Sequence, residues 1–275
     1  MTFLFLFWTI CALYSLGWLL AGVSFFTNET LAKSWGERTL MLGLIVQFIY
    51  IVLDIIFDGD FLFDSLTGLF LFLSFFTIFI FFILAYKFPD QIFKIVFPPV
   101  TLFFLILSIT ISDQAIVAKV FLDKSPVFGK TMLFVHASSA MLGYLLFGVA
   151  CLTSMFYLYQ ENKIKKKRLM LTSEKVPSLG FLDKLNYKVI AVGFLFLSVG
   201  LVLGINMKVI ATSGQVEFSL RQVLPVATWL IYALFLVDRF INGLRGKITS
   251  MWAIIGFLTA VTSFAYEISL LVGRS

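Results

Sequence analysis

Residues Thr2 to Phe26 read TFLFLFWTICALYSLGWLLAGVSFF, 25 consecutive positions without one Asp, Glu, Lys or Arg. A helix crossing a hydrocarbon core about 30 Å thick needs about 20 largely apolar residues, so this stretch predicts a membrane-spanning helix. Seven further runs, each bounded by charge, glycine or proline, follow it: Thr39 to Phe57, Phe61 to Tyr86, Ile92 to Ile111, Met132 to Gln160, Tyr187 to Ile210, Gln222 to Phe240 and Ile248 to Val272. Backbone groups left unpaired in lipid are costly, and these runs are far longer than barrel strands, so all eight are expected as helices. The predicted fold class is all-α: a polytopic membrane protein, a bundle of eight transmembrane helices.

Composition agrees. Of 275 residues, 60% are apolar, 17% aromatic and only 13% charged, and mean hydropathy is +1.02. Soluble domains carry roughly 25% charged residues, so no soluble surface can be built from this chain. Cys11 and Cys151 are the only cysteines, both inside apolar runs, which excludes a disulfide scaffold and a C-x-x-C redox or zinc pair. The net charge of +6 does not point to nucleic acid, because the cations cluster in one loop beside apolar spans. Membrane lipid is the expected surrounding.

Fifteen of the 21 cations fall after helices one, three, five and seven, among them Lys163, Lys165, Lys166, Lys167 and Arg168. The positive-inside rule then predicts both termini outside and the loop 161–186 in the cytoplasm. The first helix reads as an anchor, since it has no basic leader and its apolar stretch is too long for a signal peptide. The basic loop is open to two readings: a topology determinant against anionic lipid, or a docking site for a cytoplasmic protein.

His136 is the only histidine and lies in the first turns of helix five, near the outer surface. Imidazole can ligate haem iron, hold a metal or carry a proton. At 100° per residue, Met132, Ser139, Ala140, Gly143 and Phe147 share its helix face, a strip of mostly small side chains. A flat ligand could lie along that strip; alternatively, another helix packs there with His136 hydrogen-bonded across the contact. Asp54, Asp58, Lys208, Glu217, Arg221 and Glu267 collect at the same outer level. Lys208 and Arg221 could hold the carboxylates of an amphipathic ligand, or Glu267 and Asp54 could pair with those cations. Asp58, Asp60 and Asp64 lack the spacing of a calcium loop, and there is no phosphate-cradling loop, Ser-His-Asp set or C-x-x-C-H site. Pro98, Pro99 and Pro225 are expected to kink or interrupt their helices.

The run HASSAMLGY from His136 to Tyr144, then Val176-Pro177-Ser178-Leu179, Leu182-Asp183-Lys184-Leu185-Asn186-Tyr187 and Gly193-Phe194-Leu195, resemble the CcsA-type cytochrome c assembly family. So do Thr228-Trp229-Leu230-Ile231-Tyr232, Asp238-Arg239 and Gly243-Leu244-Arg245-Gly246-Lys247. The resemblance covers about residues 130 to 270. It implies haem handled on the outer side for attachment to apocytochromes c, and a helix-start histidine, here His136, as axial iron ligand. Two departures stand out. The family's Trp-rich W-D-x-K-E segment is replaced between helices six and seven by residues Ser213 to Gln222 without Trp, and the histidine expected with it is missing. Where the family commonly ends helix seven with Leu-His-x-Arg, this chain has Val237-Asp238-Arg239. In these respects the chain is similar to the HemX-like and YpjD-like branches, of which the HemX-like proteins are associated with control of haem synthesis at glutamyl-tRNA reductase.

The expectation is therefore a haem-handling accessory of the bacterial inner (plasma) membrane, multi-pass, and a binder rather than an enzyme. Residues 1–129 form an N-terminal four-helix part and 130–275 the assembly-like domain. His136 is expected on the haem iron and Lys208 and Arg221 on its propionates, with Met141, Met207 or a partner supplying the second axial ligand. Expected partners are other cytochrome c assembly proteins or apocytochrome c. The alternative is a membrane regulator that recruits a soluble haem-synthesis enzyme through the basic loop.

Overall fold

The computed structural model describes residues 2–27, 29–58, 65–87, 92–110, 126–166, 177–211 and 220–272. Among them are eight helices long and apolar enough to cross a membrane: α1 (Thr2–Thr27), α2 (Thr30–Asp58), α3 (Leu66–Lys87), α4 (Ile92–Thr110), α5 (Pro126–Lys165), α6 (Leu179–Ala211), α7 (Leu220–Asn242) and α8 (Lys247–Val272). Each holds all or most of one of the apolar runs; residues 61–64 and 111 of the third and fourth runs lie outside the described residues, and α2, α5 and α6 reach well beyond their runs. Apolar runs mark only the stretch that must face hydrocarbon, whereas a helix continues wherever its polar side chains find partners. On α6 the added turns carry Asp183 and Asn186, both hydrogen-bonded to neighbouring helices. Helices α4 and α7 run through Pro98, Pro99 and Pro225 without interruption, as membrane helices tolerate when neighbours satisfy the freed carbonyls.

The chain forms two compact units, one holding α1 to α4 and the other α5 to α8. Within the first, α1 packs on α2 and α4, and α3 on α4. Glycines set the closeness: a Cβ on Gly43 of α2 would stand 2.7 Å from the Tyr14 ring of α1. Tyr14 Oη donates to Gln47 Oε1 at 2.6 Å, and Gln47 Nε2 donates to Ser74 Oγ at 3.1 Å, so one buried polar chain joins α1, α2 and α3. Lys94 of α4 pairs with Glu37 of α2, and Trp18 Nε1 donates to the Ile95 carbonyl at 3.0 Å.

In the second unit α5 lies antiparallel to α6 and α8, and α8 packs on α7. The interior holds Ser139, Thr153, Ser154, Asn186, Thr228 and Ser263, while Leu195, Val202, Leu234 and Leu258 face outward. Polar groups inside and aliphatic chains outside is the arrangement a lipid solvent favours, since lipid gives apolar side chains no reason to hide and polar ones no partner. The strongest fastening joins three helices. Asp183 of α6 accepts from Arg239 of α7 at 2.8 and 3.1 Å, and from the Gly246 amide at 3.0 Å and Thr249 Oγ1 at 3.3 Å at the start of α8. The chain turns into α8 through Gly243 and Gly246, at φ +64° and +80°, a region that glycine enters without Cβ strain.

Because both side chains of the Asp183–Arg239 pair are only about a tenth exposed, removing one partner strands a buried charge, at a cost of roughly 3 kcal/mol or more. Asp183→Ala is expected to lower the thermal unfolding midpoint of detergent-solubilised protein far more than Lys165→Ala, which opens the exposed pair with Glu161. Equal midpoints for the two variants overturn this.

Candidate functional site

The site builds outward from the contact of α5 with α6. Along α6, Gly193, Gly200 and Gly204 recur on one face and meet α5 at Leu146 and Phe147, at Ala140 and at His136 in turn. A Cβ on Gly200 would lie 3.1 Å from that of Ala140, and one on Gly204 would lie 2.6 Å from His136 Cε1. The imidazole therefore rests on bare α6 backbone. Its Nδ1 stands 2.7 Å from the Gly200 carbonyl oxygen. A carbonyl can only accept, so Nδ1 carries the proton and donates; the oxygen's second lone pair remains for its own helix. In a neutral ring this leaves the Nε2 lone pair as the available ligand, the support that metal-bound histidines commonly receive from behind. His136 is part-buried, and among the described residues no hydrogen bond reaches Nε2.

The strip of small residues beside His136 is occupied by α6, so it cannot seat a flat ligand. Of the two sequence readings, helix packing with a hydrogen bond across the contact is the observed one for that face. The reason is that Gly143 and Ala140 meet glycine-bearing turns of α6, and backbones that approach this closely leave no gap for a macrocycle. With Nδ1 held by the Gly200 carbonyl, Nε2 is the ring nitrogen left to meet a ligand.

Arg221, at the start of α7, donates from Nε to Glu267 Oε2 of α8 at 2.8 Å and from Nη2 to Oε1. Arg221 and Glu267 both lie within electrostatic reach of His136. Lys208 lies one turn beyond Gly204 on α6, part-buried and engaged in an interaction of its own. Met207 follows Gly204 by three residues and shares that face. Met141 is buried and rotated about 140° from His136 around α5, so it cannot meet the same iron. Asp54 belongs to the other unit, the side chain of Asp58 is not among those described, and Glu217, with residues 213–219 of the segment lacking Trp, lies outside the described residues. No group of three or more His, Cys, Asp or Glu able to hold a bare metal ion occurs among the described residues.

The residues present fit a haem iron in one respect, a single imidazole oriented from behind with Nε2 left available, and in a second, a guanidinium nearby. Sequence reasoning missed Gly200 and Gly204 as the seat of that ring. The glycine spacing 193, 200 and 204 marks a close-packing face, but which side chain lands on it depends on the register of α5.

Fold and site together define a helical membrane protein with one supported imidazole at the end of its second unit. The pattern of the Cytochrome C assembly protein family matches residues 64–270, and the chain belongs to that family. The match reaches back through α3 and α4, further than the resemblance read over residues 130 to 270. Protein HemX of Brevibacillus brevis is 25% identical over 255 residues, 89% of this chain and 90% of its own length. Protein HemX of Bacillus subtilis (strain 168) is 25% identical over 133 residues, 48% of each chain. The cytochrome c biogenesis protein CcsA of Cyanophora paradoxa is 26% identical over 170 residues, 48% of this chain and 53% of its own. The match thus spans about half the length of the latter two relatives.

Since His136 is the sole histidine, its tautomer can be read without assignment. Nitrogen-15 NMR of histidine-labelled protein is expected to show a protonated Nδ1 and a bare Nε2. Gly204→Ala, which pushes a methyl into the ring, should shift both resonances; an unshifted spectrum contradicts the packing described.

Proposed function

We propose that this chain is a multi-pass protein of the bacterial plasma membrane that binds haem and assists cytochrome c assembly, with His136 Nε2 as an axial iron ligand. The observation carrying this reading is the bond from His136 Nδ1 to the Gly200 carbonyl, which selects the ligating tautomer and orients the ring at no cost when ligand arrives. Family membership supports the choice of haem over a bare metal ion. In the topology favoured by the positive charges, both termini and the His136 end of the second unit face outside, and the basic α5–α6 connection within residues 161–186 faces the cytoplasm.

Haem, if bound, would supply an iron that takes an imidazole ligand, carried on a porphyrin that can be passed on whole to a partner such as apocytochrome c. The chain's own residues bind and orient. His136 would hold the iron, and Arg221 and Lys208 would attract the propionates. The reading is of a binder rather than an enzyme. Purified wild type is expected to show a Soret band with hemin that is lost or shifted in His136→Ala. A colourless wild type that does not respond to hemin overturns the reading.

A second reading is favoured by the long match to a HemX protein, which covers nine-tenths of both chains. In it the chain is a membrane regulator that recruits a soluble haem-synthesis enzyme through the basic loop following α5. Replacing Lys165, Lys166, Lys167 and Arg168 with Gln is expected, on this reading alone, to abolish co-purification of such an enzyme; unchanged capture excludes that surface.

A further inference from the structure

Resting on the reading that haem binds at His136, we propose that Glu267 is a built-in competitor for the ligand's carboxylates: it occupies Arg221 until a propionate displaces it, and so regulates haem loading. Arg221 meets Glu267 through Nε and Nη2 together, the two-pronged edge that any incoming carboxylate uses. An occupied prong pair cannot hold a second carboxylate in the same way, so binding at Arg221 requires exchange.

Among its described residues the second unit contains two arginine–carboxylate pairs, and their settings differ in the way this role demands. Asp183 and Arg239 are about a tenth exposed, and the carboxylate is also held by the Gly246 amide and the Thr249 hydroxyl. Opening that pair leaves several buried groups unsatisfied. Arg221 and Glu267 are 46% and 34% exposed, and among the described residues Glu267 accepts from Arg221 alone. Once released, the Glu267 carboxylate turns to water or headgroups. One pair is a fastening and the other is built to open.

Position completes the case. Ser263 of α8 lies 3.3 Å from Tyr144 Oη of α5. Glu267 follows Ser263 by one turn, and His136 precedes Tyr144 by about two turns on the antiparallel α5. The imidazole and the ion pair therefore sit at one end of the unit, offset from each other, as an axial ligand and a clamp at the porphyrin edge must be. While Glu267 is charged and in place it repels a ligand's carboxylates; when it yields, Arg221 is freed.

A strut and a competitor predict opposite signs for Glu267→Gln. Full-length protein in detergent is titrated with hemin and with hemin dimethyl ester, whose carboxylates are masked, and followed at the Soret band in wild type, His136→Ala and Glu267→Gln. Glu267→Gln is expected to bind hemin about fivefold more tightly with the wild-type Soret position, the scale of one exposed ion pair, and to bind the ester as wild type does. Glu267→Ala serves the same purpose if the Gln variant does not fold. Hemin affinity equal to or weaker than wild type in these variants, while His136→Ala still loses binding, overturns the competitor role alone. Wild type and His136→Ala that behave identically toward both ligands overturn the haem reading, and this inference with it.

Discussion

The bond between His136 Nδ1 and the Gly200 carbonyl is the constraint from which the second unit's arrangement can be read. It requires α6 to present backbone, not side chain, to α5, and Gly204 meets that requirement beneath the ring. It sets the register of the two helices, because sliding by one residue would bring Leu203 or Ile205 against the imidazole. It also decides the ring's chemistry, since a donor Nδ1 leaves a neutral imidazole with its lone pair on Nε2. Packing and ligand capacity are thus one interaction seen from two sides.

Lipid as solvent explains what surrounds that contact. Association in hydrocarbon gains little from burying Leu or Phe, so cohesion comes from close backbone approach and from polar pairs. The first unit uses Tyr14, Gln47 and Ser74 in this way; the second uses Asp183 with Arg239, and Asn186 with Ser154. Most of these residues lie inside the apolar runs, and Asp183 and Asn186 just before one. They are tolerated in the helices because each is satisfied by a neighbour. The Arg221–Glu267 pair has the same chemistry at a more exposed position, where an ion pair contributes less than a buried one.

Much of the fold was legible without coordinates. The apolar runs locate all eight helices, because a hydrocarbon core imposes a minimum length that no loop satisfies. Their true ends were not legible at α2, α5 and α6, since polar residues read as boundaries are interior when paired across helices. Lone His136 stood out by residue type, and Arg221 and Glu267 as ionisable groups within or beside spans. Whether Arg221 faced a ligand or Glu267 was undecidable in one dimension: α7 and α8 bring together residues 46 positions apart. The small strip of Ala140 and Gly143 was visible too, but a bare face suits a helix and a flat ligand equally.

The sequence by itself determined the solvent, the helix count and the side-chain chemistry on offer, because these follow from length, apolarity and residue type alone. Only the tertiary structure decided that α6 fills the strip beside His136, which imidazole nitrogen is left for a ligand, and that Arg221 is already held by a carboxylate. Those outcomes depend on helix register and rotation, which no pattern along one chain specifies.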